Sequence, residues 1–230
     1  MNVRTTIVFS SLALIYLATL PLTPCVAQFL PKALPIVVLA VFAYTKLSAM
    51  PRYMVLTALL FSLAGDVSLA LPFADSFITG LACFFVAHLT YAMCFALLHR
   101  RLQETPGDHI ISRKPKWFIS IIMVSFAVMM AVHILPASKA LFYPVVAYIS
   151  VITLMGLTAV WLAQTKLIVT GALFFVISDA ILAQSVFKTP LPLSTIWVMT
   201  TYYGAQYCLT MGLVDGFLRK ENKQEEIGQT

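Results

Sequence analysis

Two aspartates lie in surroundings where a carboxylate is expensive. Asp66 falls within Leu59-Leu60-Phe61-Ser62-Leu63-Ala64-Gly65-Asp66-Val67-Ser68-Leu69-Ala70-Leu71, and Asp179 within Ala172-Leu173-Phe174-Phe175-Val176-Ile177-Ser178-Asp179-Ala180-Ile181-Leu182-Ala183. Both segments read as a bulky apolar run, a small residue, Asp, two further residues and Leu-Ala. A charge at the centre of a bilayer costs about 2.5–3.5 kcal/mol on insertion scales, so such a residue faces other helices or a wet cavity and has a partner. Two carboxylates brought together in a low-dielectric site cannot both stay ionised cheaply. One protonated acid then stands beside one carboxylate near neutral pH, which is the equipment of general acid–base catalysis. The plainer alternative is a pair of helix-packing carboxylates bonded to Tyr, Ser or Gln.

Other polar residues in apolar stretches qualify as partners. His88 could orient an aspartate, relay a proton, hold a lipid phosphate, or simply be hydrogen-bonded inside a bundle. Lys32, in Pro31-Lys32-Ala33-Leu34-Pro35, could neutralise a phosphate as a point charge, or snorkel at an interface. Tyr91, Tyr202, Tyr203 and Gln206 could line a cavity and bind the polar part of a substrate, or bond helix to helix. No metal is expected: His99, His109 and His133 are too scattered to join His88 in a zinc site, and Cys25, Cys83, Cys94 and Cys208 lack ligand spacing. No cofactor is expected either. There is no Gly-x-Ser-x-Gly elbow of a serine hydrolase and no phosphate-cradling glycine loop.

The elements that must position these groups are membrane helices. Of 230 residues, 60% are hydrophobic and only 10% charged, with a mean hydropathy of +0.92. Soluble domains carry about a quarter charged residues, so the chain is an all-α integral membrane protein. Eight transmembrane helices are predicted: Thr6–Leu22, Phe29–Lys46, Tyr53–Leu71, Ser76–Leu98, Trp117–Leu135, Leu141–Ala163, Leu167–Val186 and Leu193–Phe217. They make a single membrane domain over residues 1–217, followed by a short polar tail at 218–230. Pro31, Pro35, Pro51, Pro72, Pro136 and Pro192 fall at or near the span ends, where proline costs least. Arg4 before an apolar run has the look of a signal peptide, but Pro21, Pro24 and the lack of a clean cleavage site predict a retained first span.

An even number of spans puts both termini on one side. Of the 15 Lys and Arg residues, only Lys32, Lys139 and Lys188 fall on the opposite side. Cytoplasmic loops collect positive charge, so both termini are expected in the cytoplasm. The net charge of +6 is then accounted for by topology and anionic membrane lipids, not by nucleic acid. Compact loops suggest a bacterial inner membrane. In this frame Asp66 and Asp179 lie roughly 18–20 Å from the cytoplasmic face, at 1.5 Å per residue. His88, Tyr202, Tyr203 and Gln206 fall in the same slab. Phe85, His88 and Tyr91 share one helix face at three-residue steps, as do Tyr203 and Gln206. The offset between the aspartates, 179 − 66 = 113, is about half the chain and suggests two parallel four-helix repeats.

The ordered set of these motifs resembles the YhhN-type membrane proteins, which include the lysoplasmalogenases. The resemblance rests on Lys32-Ala33-Leu34-Pro35, Gly65-Asp66, and Gly80-Leu81-Ala82-Cys83-Phe84-Phe85-Val86-Ala87-His88-Leu89-Thr90-Tyr91. It continues with Gly171-Ala172-Leu173-Phe174-Phe175-Val176-Ile177-Ser178-Asp179 and Tyr202-Tyr203-Gly204-Ala205-Gln206. It implies an eight-span hydrolase that cleaves the vinyl ether bond of a lysoplasmalogen to a fatty aldehyde and glycerophospho-ethanolamine or -choline. Such cleavage needs a proton on the alkene carbon, water on the resulting oxocarbenium ion, and collapse of a hemiacetal. A carboxylic acid beside a carboxylate suits each step, as in glycosidases. The expected assignment is Asp66 as acid and Asp179 as base, or the reverse, with the lysophospholipid tail between helices and its phosphate toward Lys32. A proton-coupled transporter or lysolipid flippase using the same Asp66/Asp179 pair is the alternative.

Overall fold

The computed structural model describes residues 3–20, 29–103, 113–163 and 165–228. Eight α-helices follow in order: α1 (Val3–Thr19), α2 (Phe29–Lys46), α3 (Ala49–Ala70), α4 (Ser76–Gln103), α5 (Arg113–Ser138), α6 (Phe142–Leu162), α7 (Lys166–Phe187) and α8 (Ser194–Gly228). No strand occurs among the described residues. Cys25, His109 and much of the Arg100–Lys116 connection lie outside them.

One connection differs from expectation. Between α5 and α6 the chain passes through a 3-10 turn, Lys139–Leu141, with no non-helical residue. The described residues therefore form seven uninterrupted helical runs rather than eight separated by loops. The reversal is made at Lys139, whose φ of 46° leaves the right-handed helical region. α5 and α6 then pack side by side. Pro136 consequently lies inside α5, one residue beyond the predicted end of the fifth span, while Pro35 lies inside α2, within its predicted span. α8 likewise runs on past Phe217 into the polar tail, as far as Gly228.

Four runs are long and apolar enough to cross a membrane by length and composition: Ala49–Ala70, Ser76–Arg101, the joined Pro115–Leu162 and Lys166–Phe187. α1 is a shorter apolar helix. Apolar side chains cover the outside as well as the core. On α5 alone, Trp117, Phe118, Ile121, Ile122, Val128 and Val132 are all exposed. A helix that is apolar all round is suited to lipid on its outer face. α5 and α6, α1 and α2, α3 and α4, and α7 and α8 pack as neighbouring pairs, and α4 also packs on α6.

Two close approaches depend on glycine. A Cβ at Gly65 would come within 2.7 Å of the Phe84 ring, between α3 and α4. A Cβ at Gly171 would come within 2.9 Å of the backbone nitrogen of Leu209, between α7 and α8. Both glycines belong to the aspartate-bearing helices, Gly65 beside Asp66 on α3 and Gly171 about two turns before Asp179 on α7.

Candidate active site

The two aspartates occupy separate, similarly built clusters. Asp66 on α3 is 3% exposed. Its Oδ1 lies 2.9 Å from the Lys32 ammonium of α2, which also donates to the Asp66 carbonyl at 3.3 Å. Its Oδ2 accepts from the Tyr202 hydroxyl of α8 at 2.6 Å. Tyr203 donates to the Lys32 carbonyl at 2.9 Å, tying α8 to α2. Sequence position puts Lys32 at the outer mouth of its helix. Its ammonium instead turns inward to a buried carboxylate, because desolvating both charges without pairing them would cost far more.

Asp179 on α7 is built differently. Its Oδ2 accepts from the Tyr148 hydroxyl of α6 at 2.6 Å and lies 3.3 Å from His88 Nε2 of α4. His88 Nε2 is also 3.1 Å from the Tyr148 oxygen. The three polar atoms thus form a closed triangle. The second oxygen, Oδ1, has no hydrogen bond among the described residues, and it is not among their buried unpartnered atoms. His88 is fully buried, whereas the Asp179 side chain is 14% exposed.

That exposure is to a cleft between helices. Its wall includes Leu69, Leu81, Phe126, Met130, Ile134 and Phe187, and it is apolar except for Asp179, Tyr148 and Thr153. Thr153 turns its hydroxyl back onto the Ile149 carbonyl at 2.6 Å, as helical threonines do in apolar surroundings. Asp179 and Tyr148 are therefore the polar groups that the cleft offers to a ligand. An apolar cleft whose polar groups are the paired Asp179 and Tyr148 suits an alkyl chain carrying a reactive polar bond.

Phe84 and Phe175 stand between the clusters. Tyr202 packs edge-on to Phe84 and Phe175, with ring centroids 5.9 and 5.6 Å apart. Phe175 packs in turn on His88 at 4.5 Å. No hydrogen bond joins the two carboxylates. Each aspartate has its own donors. Tyr91 and Gln206 form a third feature: Tyr91 donates to Gln206 Oε1 at 2.6 Å, with both residues fully buried and outside the cleft wall. They join α4 to α8 one turn from His88.

The aspartate clusters repeat one pattern with the halves of the chain exchanged. Asp66, on the third helix, is held by the second and eighth. Asp179, on the seventh, is held by the sixth and fourth. The offsets between corresponding residues are 179 − 66 = 113, 202 − 88 = 114 and 148 − 32 = 116. Tyr148 is the residue that the motif reading missed, yet a signal was present. It lies 148 − 141 = 7 residues from one end of the predicted sixth span, and Asp179 lies 186 − 179 = 7 from the same side of the seventh.

Comparison with known proteins agrees with this arrangement of motifs. The model of the YhhN family matches residues 27–213. The chain is similar to Lysoplasmalogenase TMEM86B of Homo sapiens, 35% identical over 185 residues, covering 79% of this chain and 73% of that protein. It is similar to Lysoplasmalogenase TMEM86A of Homo sapiens, 28% identical over 171 residues, covering 70% and 65% respectively. Lysoplasmalogenase TMEM86B of Mus musculus is 29% identical over 190 residues, covering 82% and 76%. The match thus spans slightly less than two thirds of human TMEM86A. No solved structure matches the chain.

Proposed function

The chain belongs to the YhhN family, and on that premise we propose that it is a membrane hydrolase of lysoplasmalogens, with Asp179 as the carboxyl that meets the substrate. The observation that carries this reading is the position of Asp179 at the polar point of an apolar cleft, with Oδ1 uncommitted. Its relatives of 28–35% identity are named lysoplasmalogenases.

The alkenyl chain lies along the cleft, with its vinyl ether at Asp179. Protonated Asp179 gives its Oδ1 proton to the β-carbon of the alkene, and the C=C electrons form the new C–H bond. The adjacent carbon becomes an oxocarbenium ion beside the carboxylate just formed. Water adds to that carbon and returns one proton to Asp179. Asp179 then gives a proton to the glycerol oxygen as the hemiacetal C–O bond breaks and takes the hydroxyl proton in return, releasing a fatty aldehyde and a glycerophospho alcohol. One water is consumed, and the acid is restored. General acid–base assistance of this kind is worth about 10²–10⁴-fold.

Asp66 takes a supporting part in this scheme, because Lys32 and Tyr202 occupy both its oxygens. The Lys32–Asp66–Tyr202–Tyr203 cluster fixes α2, α3 and α8 and sets the Phe84–Phe175 wall behind the cleft. Tyr91 and Gln206 hold α4 at the height that presents His88. The exchanged pattern of the two clusters supports two parallel four-helix halves, α1–α4 and α5–α8. With the charge distribution, it also supports eight spans and cytoplasmic termini, and the compact loops fit a bacterial inner membrane.

The test is aldehyde release from lysoplasmenyl-ethanolamine by purified protein in detergent. Release by the wild type and its loss in Asp179→Asn support the reading. Equal release by the variant contradicts the assignment of Asp179.

A further inference from the structure

We infer that Tyr148 is a positioning residue for the reacting carboxyl: its hydroxyl, together with His88, holds Asp179 Oδ2 so that Oδ1 faces the cleft. The kinetic part of this inference rests on the hydrolase reading above.

Three observations carry it. The Tyr148–Asp179 bond is 2.6 Å, the length of a charge-assisted O–H···O bond. His88 Nε2 approaches the same oxygen at 3.3 Å and the Tyr148 oxygen at 3.1 Å, so both donors converge on one side of the carboxyl. Tyr148 and Asp179 share the cleft wall, whereas fully buried His88 lies behind them. A carboxyl free to rotate would present either oxygen. Two donors on Oδ2 remove that freedom and leave Oδ1 as the transferable position.

The same arrangement acts at the moment of proton transfer. As Asp179 gives up its proton, negative charge develops on the carboxyl, and a donor already aimed at Oδ2 requires no reorganisation. Tyr148 is also the counterpart of Lys32 in the exchanged pattern, with an offset of 148 − 32 = 116. Where the Asp66 cluster has a full positive charge, the Asp179 cluster has a neutral donor. An ammonium would neutralise its carboxylate permanently, whereas a phenol leaves it able to alternate between acid and base. The two halves thus carry one buried pattern with different donors: Lys32 and Tyr202 hold Asp66 as a fixed ion pair, and Tyr148 and His88 hold Asp179.

Tyr148→Phe keeps the ring and its packing on His88, whose centroid is 5.5 Å away, and removes only the hydroxyl. With lysoplasmenyl-ethanolamine, kcat should fall about 10- to 100-fold while KM stays within about twofold. Difluorotyrosine at position 148, a stronger donor of the same shape, should retain kcat. Unchanged kcat in Tyr148→Phe overturns the inference, as does a rise in KM alone. A second readout needs no substrate. The infrared carboxyl band that disappears in Asp179→Asn should shift in Tyr148→Phe, and an unmoved band overturns the inference. If the wild type releases no aldehyde, the hydrolase reading fails, and the infrared band alone decides whether Tyr148 holds Asp179.

Discussion

The Lys32 ammonium and Asp66 Oδ1 lie 2.9 Å apart inside the helix bundle, with side chains only 12% and 4% exposed. A pair so enclosed is strongly interdependent. Removing one partner leaves an uncompensated charge in low dielectric, which costs about 3–5 kcal/mol, whereas replacing both can be close to neutral.

Asp66→Asn and Lys32→Met should therefore each lower thermal stability in detergent, and the double variant should recover most of the loss. The check is a double-mutant cycle of melting temperatures. Additive losses would show that the two side chains do not form a buried pair.

Asp179 should respond in the opposite way. Asn at this position keeps an acceptor for Tyr148 and strands no ammonium, so melting should change little. Turnover should fall by at least about 10²-fold, the range for losing a general acid. Measuring both on one preparation separates the roles: Asp66→Asn is costly in stability, and Asp179→Asn in rate.

The cleft makes a prediction about chain length. Ala183 lines it, one turn beyond Asp179 on α7. Ala183→Phe should fill the slot and lower kcat/KM for long-chain substrate on the order of 10²-fold, the scale associated with misplacing a reacting group. A short alkenyl chain should be spared. Equal effects on both chain lengths would place the tail elsewhere.

Gly171 tests the packing of α7 on α8. Its added Cβ would meet backbone, the Leu209 nitrogen at 2.9 Å, which cannot swing aside as a side chain would. Gly171→Ala should destabilise by about 1–3 kcal/mol, as overpacking does. That is a fall in melting temperature of about 2–4 °C per kcal/mol for a chain of this size. An unchanged melting point would contradict the α7–α8 approach.

Much of the site was legible in the sequence, through depth. Counting residues from span ends places Asp66, Asp179, His88 and Tyr202 in one slab, and all four belong to the two clusters. What depth cannot supply is rotation about each helix axis. Asp66 and Asp179 share a level but face different partners, with Phe84 and Phe175 between them, so a common height does not bring the two carboxyl groups into contact. Lys32 shows the same limit, since a lysine near a span end can reach out to headgroups or inward to a carboxylate. Tyr148 was overlooked because one tyrosine in an apolar span is ordinary; only its level, matched to that of Asp179, set it apart. The sequence predicts a break between the fifth and sixth spans, where Pro136 falls at a span end and Lys139 lies between the two apolar runs. A 3-10 turn with positive φ at Lys139 reverses the chain there without interrupting the helical run.

The most direct measurement is aldehyde released from lysoplasmenyl-ethanolamine by purified wild type and Asp179→Asn, side by side, with melting temperatures recorded for both. The account predicts one equivalent of aldehyde per vinyl ether consumed by the wild type, and a loss of at least about 10²-fold in an Asp179→Asn protein that melts at nearly the same temperature. No aldehyde from a folded wild type, or undiminished release from the folded variant, would contradict it.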